Sequence, residues 1–160
     1  VTIRAVSLWA LIIDQATKHW VAATCPLNEP VPVIPGWLYL TYLYNPGAAF
    51  GFLSEASPAF RIPFFLTITA LAGLIVYAFQ RFIPLERVWV RFSLGLIWGG
   101  ALGNFVDRVR YGKVVDFVDA RYHDFHWYVF NVADSCITVG LILLVLTHGS
   151  TWGKRPGPEA

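Results

Sequence analysis

The chain has 160 residues, of which 56% are hydrophobic, 16% aromatic and only 14% charged, with no methionine and a net charge of +2. A soluble domain carries roughly 25% charged residues, and one this small leaves too much of itself exposed to hide so much apolar surface, so a soluble globular protein and a disordered one are both excluded. The 12 Lys and Arg form no basic stripe, which argues against nucleic acid as a partner and leaves one integral membrane domain over residues 1–160.

Four segments are candidates for spanning helices, each near the roughly 20 residues a bilayer requires. The first, residues 5–22, is apolar up to Ile13 and then carries Asp14 and Lys18, four apart as in a helical ion pair. It lacks a small-residue cleavage site and reads as a retained helix rather than a signal peptide. Residues 24–60 are rich in proline and contain the aromatic, β-prone run Trp37-Leu38-Tyr39-Leu40-Thr41-Tyr42-Leu43. A short strand or amphipathic sheet at the membrane surface suits it, because Trp and Tyr favour that interface.

The second span, residues 62–80, has no charge and places Pro63 in its first turn. The third, residues 88–106, holds only Arg91, near one end, and repeats Gly95, Gly99 and Gly103 at the spacing that lets helices approach closely. Residues 107–129 contain a Gly112 turn, a β-branched stretch at Val114 and Val115, and most of the chain's charge. The fourth span, residues 130–147, is apolar except for Asn131 and Asp134 in its first turns, and the tail after about 148 reads as disordered. The fold expected is therefore all-α, four transmembrane helices with a small β element. Arg4, Arg81, Arg87, Arg91, Lys154 and Arg155 fall on one side and residues 23–59 hold no Lys or Arg, which places both termini in the cytoplasm. Arg108, Arg110, Lys113 and Arg121 on the other side are matched by Asp107, Asp116, Asp119 and Asp124.

A carboxylate deep in a bilayer costs about 2.5–3.5 kcal/mol on insertion scales, so each intramembrane polar group needs a reason. Asp134 shares a helical face with Asn131 and Thr138; it is either a charge at a helix N-terminus capped by Asn131, or part of a polar face continuing inward. Asp116, between Val115 and Phe117, is either a solvated loop carboxylate or an acid returning to the membrane for chemistry. Asp119 and Asp124 read as solvated. Asn104, Asp107 and Arg108 close the third span as an end-of-helix polar cluster or as binding residues. His123 and His126 have a spacing a metal could use, but without further ligands they read as surface histidines. Cys25 and Cys136 lie in unlike environments, so no disulfide follows, and Cys136 reads as a small buried hydrophobe. With no HExxH, Ser–His–Asp or phosphate-cradling pattern present, carboxylates remain the reactive candidates.

The pattern resembles the bacterial lipoprotein signal peptidases (signal peptidase II), a family of intramembrane aspartic proteases. Its motifs stand as Asp14-Gln15-Ala16-Thr17-Lys18, Asn45-Pro46-Gly47-Ala48-Ala49-Phe50, the run from Gly99 to Arg108, Val114-Val115-Asp116-Phe117, and Phe130-Asn131-Val132-Ala133-Asp134. The resemblance implies a catalytic pair, Asp116 and Asp134. It implies substrate-binding roles for Asn45, Gly47, Asn104, Arg108 and Asn131, and structural roles for Asp14, Lys18 and Asp107. It further implies a β-cradle over the membrane surface, no metal or other cofactor, and a monomer in the bacterial inner membrane with its site towards the extracytoplasmic side. The partners it implies are membrane lipid and a prolipoprotein bearing diacylglyceryl on the Cys that follows the cut. Two acids brought close share one proton and titrate as a unit. The competing readings are a small transporter or proton-conducting subunit, since intramembrane acids also mark ion paths, and a purely structural assembly factor.

Overall fold

The computed structural model describes residues 2–48, 51–122 and 125–149. Its elements run α1 (Ile3–Thr24), β1 (Pro30–Ile34), β2 (Leu38–Asn45), α2 (Pro58–Phe79) with a 3-10 turn at Gln80–Phe82, α3 (Val88–Tyr111), β3 (Val114–Tyr122), β4 (Phe125–His126) and α4 (Val132–Gly149).

The helix ends follow from local chemistry. Thr2 caps α1 by accepting the Ala5 N–H at 3.2 Å, which satisfies one of the donors a helix start leaves over. Pro58 opens α2, where a missing N–H costs nothing. Pro63 consequently lies inside α2 rather than in its first turn, as the sequence suggests. α3 ends at Gly112, whose φ of +65° is the left-handed conformation a side chain disfavours, with the Gly112 N–H on the Arg108 carbonyl at 3.0 Å. It thus runs five residues beyond the expected limit of 106, because Asn104, Asp107 and Arg108 point into the bundle instead of closing the helix.

α3 is the central helix and packs on α1, α4 and, less extensively, α2. The Gly95, Gly99, Gly103 repeat forms the α1 seam: a Cβ on Gly99 would stand 2.6 Å from the Ser7 carbonyl oxygen. Across that seam the Ser7 hydroxyl donates to the carbonyls of Ile3 and Gly95. Gly100 and Gly140 do the same for α4, and Val6, Ala10, Leu96 and Cys136 close a small apolar core between the three helices. Cys25 and Cys136 are both free. The outer faces are apolar, with Leu8, Trp9 and Ile12 of α1, Leu71, Leu74 and Ile75 of α2, and Ile142, Val145 and Leu146 of α4 exposed. Among the described residues one segment, Pro58–Phe82, is long and apolar enough by itself to cross a membrane, and Val132–Thr147 is apolar but shorter. α1 and α3 carry the buried polar residues Asp14, Lys18, Asn104, Asp107 and Arg108.

The strands form one antiparallel sheet in the order β1-β2-β3-β4. β1, with Pro30 and Pro32, is the exposed edge, a place where a strand tolerates proline. β2 pairs with β3 in the register Leu43↔Asp116, Tyr44↔Val115 and Asn45↔Val114, with an irregularity between Leu40 and Leu43. A backbone bridge then links Val118 to Phe130, with Val118 N–H on the Phe130 carbonyl at 2.7 Å and the reverse bond at 3.0 Å. That bridge carries β3 past the start of α4 and fixes where residues 131–134 meet residue 116.

Candidate active site

Asn131 is the N-cap of α4. Its side-chain oxygen accepts the Asp134 N–H at 2.9 Å, and the Asp134 carboxylate in turn accepts the Asn131 N–H at 3.3 Å, the reciprocal arrangement of a capping box. Both sequence readings of Asp134 thus hold in part: it sits at a capped helix start, and it faces inward. Thr138, which the spacing groups with them, is exposed further along α4, away from the sheet.

The remaining atoms of Asn131 face β3. Its amide nitrogen stands 2.6 Å from Asp116 Oδ1, 3.1 Å from the Val115 carbonyl and 3.2 Å from Asn104 Oδ1. Asp116 Oδ2 accepts a second hydrogen bond, from Asn45 Nδ2 at 2.8 Å. Asp134 Oδ1 accepts from Asn104 Nδ2 at 2.8 Å. Each of the four carboxylate oxygens therefore has one donor and keeps a lone pair for a proton or a water. Asp116 is 1% exposed and Asn131 fully buried, so Asp116 belongs to the bundle interior and is not a solvated loop acid.

Burial pushes the Asp116 carboxyl up to about 7, and the neighbouring Asp134 charge adds to the rise, against the hydrogen bonds from Asn45 and Asn131 and the more distant Lys18. Those are the conditions under which one of two adjacent acids keeps its proton near neutral pH.

A second polar layer lies beneath the pair. Lys18 Nζ, on a residue 4% exposed, donates to Asp107 Oδ2 at 2.8 Å, Asp14 Oδ2 at 2.9 Å and Asn104 Oδ1 at 3.0 Å, which uses all three of its protons. Asp14 Oδ1 accepts the Ala133 N–H at 2.9 Å, and Asp107 Oδ2 accepts the Val115 N–H at 3.0 Å. The layer thus ties α1 and α3 to the backbone beside both site acids. Gln15, which sequence reasoning quotes inside a motif and assigns no part, completes it: its amide bridges Asp14, the Gly103 carbonyl and Asp107. A polar residue next to Asp14 on an otherwise apolar helix is the signal that could have found it.

Of the other candidates, Arg108 donates to the Gly47 carbonyl at 2.9 Å and lies over the Phe65 ring of α2, 4.3 Å from its centroid. Gly47 is buried, donates its N–H to Asn45 Oδ1 at 2.9 Å, and leaves no room for a side chain: a Cβ would stand 2.6 Å from the Phe52 carbonyl oxygen. Asn45, Gly47, Asn104, Arg108 and Asn131 are therefore one connected group around Asp116 and Asp134.

Asp119 overturns its sequence reading as a solvated acid. It is fully buried and accepts from Thr41 at 2.6 Å, from Arg121, and pairs with His126 Nε2 at 2.6 Å. The β2–β3 pairing supplies Thr41 from 78 positions upstream, which is why local sequence misleads here. Burial raises the Asp119 carboxyl, but its hydrogen bonds from Arg121, Thr41 and His126 outweigh that and hold it down at about 2. His126 is thus engaged with Asp119; His123 and Asp124 lie outside the described residues, as do Ala49 and Phe50. No group of three or more His, Cys, Asp or Glu side chains suited to a metal occurs among the described residues.

Comparison with known proteins gives the family of the chain. The chain is 46% identical over 141 residues to the lipoprotein signal peptidase of Desulforapulum autotrophicum, covering 88% of this chain and 86% of that one. It is 45% identical over 143 residues to that of Geobacter sulfurreducens, covering 89% and 88%. A solved bacterial membrane enzyme superposes with a TM-score of 0.81 at 33% identity, over 98% of this chain and 93% of the other; a second gives 0.76 at 32% identity over 90% of each. The family model of signal peptidase II matches residues 6–149. With that match covering most of its length, the chain belongs to the signal peptidase II family, proteases of lipoprotein processing.

Proposed function

We propose that the chain is an intramembrane aspartic endopeptidase that removes the signal peptide from diacylglyceryl-modified prolipoproteins, cutting before the lipidated Cys. The single observation that carries the mechanism is the Asp116–Asn131–Asp134 connection, in which one side chain caps the helix of one acid and hydrogen-bonds the other. The pair holds one proton at neutral pH. Its ionised member takes a proton from the hydrolytic water, whose oxygen attacks the scissile carbonyl. The protonated member donates to the carbonyl oxygen as charge develops there, and the leaving amine collects a proton as the C–N bond breaks. Asn104 and Asn45 hold the outer oxygens so that the free lone pairs face the substrate. Arg108 and Gly47 position the loop after β2 against the substrate backbone.

The apolar outer faces of α1, α2 and α4 around the central α3 support a four-span topology, and the Lys and Arg distribution supports cytoplasmic termini. The acids then lie on the extracytoplasmic side of the bacterial inner membrane. The substrate's acyl chains stay in the bilayer while its backbone reaches Asp134 one turn into α4. The protein works as a monomer, with lipid and the prolipoprotein as its partners and no cofactor.

Asp116→Asn and Asp134→Asn test this. Each should lower cleavage of a diacylglyceryl-prolipoprotein in detergent by at least about 10²–10⁴ while leaving an extractable, folded protein, and the same substrate without its lipid should be cut poorly. Near wild-type rate from either variant would refute the pair.

A further inference from the structure

A cavity of about 760 Å³ lies at the other end of the bundle, where α1 and α3 begin and α2 ends. Arg91 and Asn104, both on α3, are separated by about 20 Å of helix rise, so this is a different place from the acid pair. Its charged lining is cationic: Arg4 from α1, Arg81 from the turn after α2, and Arg91 from α3, beside the neutral Thr2, Tyr77 and Gln80 and with no Asp or Glu among the described lining residues. Arg91 is half-buried, and its Nη1 donates to the Ile83 carbonyl at 3.0 Å, which holds the guanidinium at the cavity wall. Arg4 and Arg81 are exposed.

A second cavity of about 310 Å³ shares Ile3, Arg4, Tyr77 and Gln80 with the first and continues between α1, α2 and α3 along Leu8, Leu11, Val76, Trp98 and Leu102. It is mainly apolar. Gly73 provides its floor, where the Trp98 ring lies so close that no side chain would fit. A cationic cavity adjoining an apolar groove is complementary to a molecule with an anionic head and a hydrocarbon chain.

We propose that these adjoining cavities bind an anionic phospholipid, its phosphate between Arg4, Arg81 and Arg91 and one acyl chain in the groove beside Trp98. The assignment rests on the membrane-spanning reading above, which sets this end at a headgroup layer. Basic pockets between membrane helices on the cytoplasmic side bind anionic headgroups in this way. The signal peptide of a substrate is a poor alternative, because its cytoplasmic end is itself positively charged and would meet three arginines.

The test uses the full chain in detergent, where sidedness plays no part. Native mass spectrometry counts bound lipid during titration with phosphatidylglycerol, phosphatidylcholine, or inorganic phosphate as a competitor. Phosphatidylglycerol should bind at least tenfold tighter than phosphatidylcholine, and phosphate alone should not displace it. Arg4→Gln and Arg81→Gln, both at exposed positions, should each weaken phosphatidylglycerol about fivefold, as expected for one cation near a headgroup. Equal binding of the two lipids, displacement by millimolar phosphate, or displacement by a signal peptide would overturn the assignment. Cleavage activity measured on the same samples reports the acid pair separately, so loss of lipid preference with activity intact sinks this inference alone.

Discussion

Asn45→Ala probes the electrostatics of the acid pair, and the pH profile separates that effect from the loss of the Gly47 N–H bond to Asn45 Oδ1. Asn45 Nδ2 donates to Asp116 Oδ2 at 2.8 Å, a hydrogen bond that favours the ionised carboxylate. A bond to a charged group contributes about 1.5–3 kcal/mol, and 1.36 kcal/mol of differential interaction moves a pKa by about one unit. Asn45 is half-buried and water can partly replace it, so the lower end of that range applies. The carboxyl that stands at about 7 in the intact site should therefore rise to about 8. The sign follows from the chemistry. In the proposed mechanism the pair keeps one proton, so kcat/KM should fall as pH rises through this value, and removing a stabiliser of the ionised form should move the basic limb upward. The assay is kcat/KM for a diacylglyceryl peptide in detergent from pH 5 to about 9.5, a profile that reports the free enzyme, with the Tm of each variant measured alongside. A basic limb that stays in place or moves down, with Tm intact, would refute the reasoning, because a merely structural Asn45 would lower the rate equally at every pH.

Three further outcomes follow from the packing. Lys18→Met leaves Asp14 and Asp107 without their shared cation and should destabilise the protein by about 3–5 kcal/mol, read as a lower Tm and lower extractable yield; the Lys18→Met, Asp107→Asn double variant should recover part of it. Gly99→Ala pushes a methyl group against the Ser7 backbone and should cost about 1–3 kcal/mol by overpacking, whereas an unchanged Tm would mean the α1–α3 seam is looser than described. Asp119, held at about 2 against an ordinary 3.8, contributes stability that is complete above about pH 4 and lost as pH falls towards 2. Asp119→Asn should flatten the decline in Tm over that interval.

Much of the helical frame can be read from the chain because its signals are local. The Gly95, Gly99, Gly103 spacing names a helix seam, and Asp14 with Lys18 names a pair, without any partner element in view. The candidate pair Asp116 and Asp134 is different: bare spacing leaves each acid with two readings, and only the likeness of five motifs to a family joins them. What joins them in space is the Val118–Phe130 bridge, a pairing between two stretches that no local pattern connects. Asp119 fails for the same reason. Beside Arg121 it looks like any surface acid, and its burial depends on Thr41 arriving through the β2–β3 register. α3 runs longer than expected because hydropathy counts Asn104, Asp107 and Arg108 as an ending, whereas their partners on α1, α4 and the loop after β2 make them interior.

The double duty of Asn131 restricts what could replace it. Serine, threonine and aspartate start helices about as well as asparagine does. Here none of them would serve. Serine and threonine lack the second arm that reaches Asp116, and aspartate would set a third carboxylate against Asp116 and Asp134. A position that is freely interchangeable in most helices is thereby pinned to one amide. Loosening the first turn of α4 would break the one side chain that links Asp116 to the start of that helix.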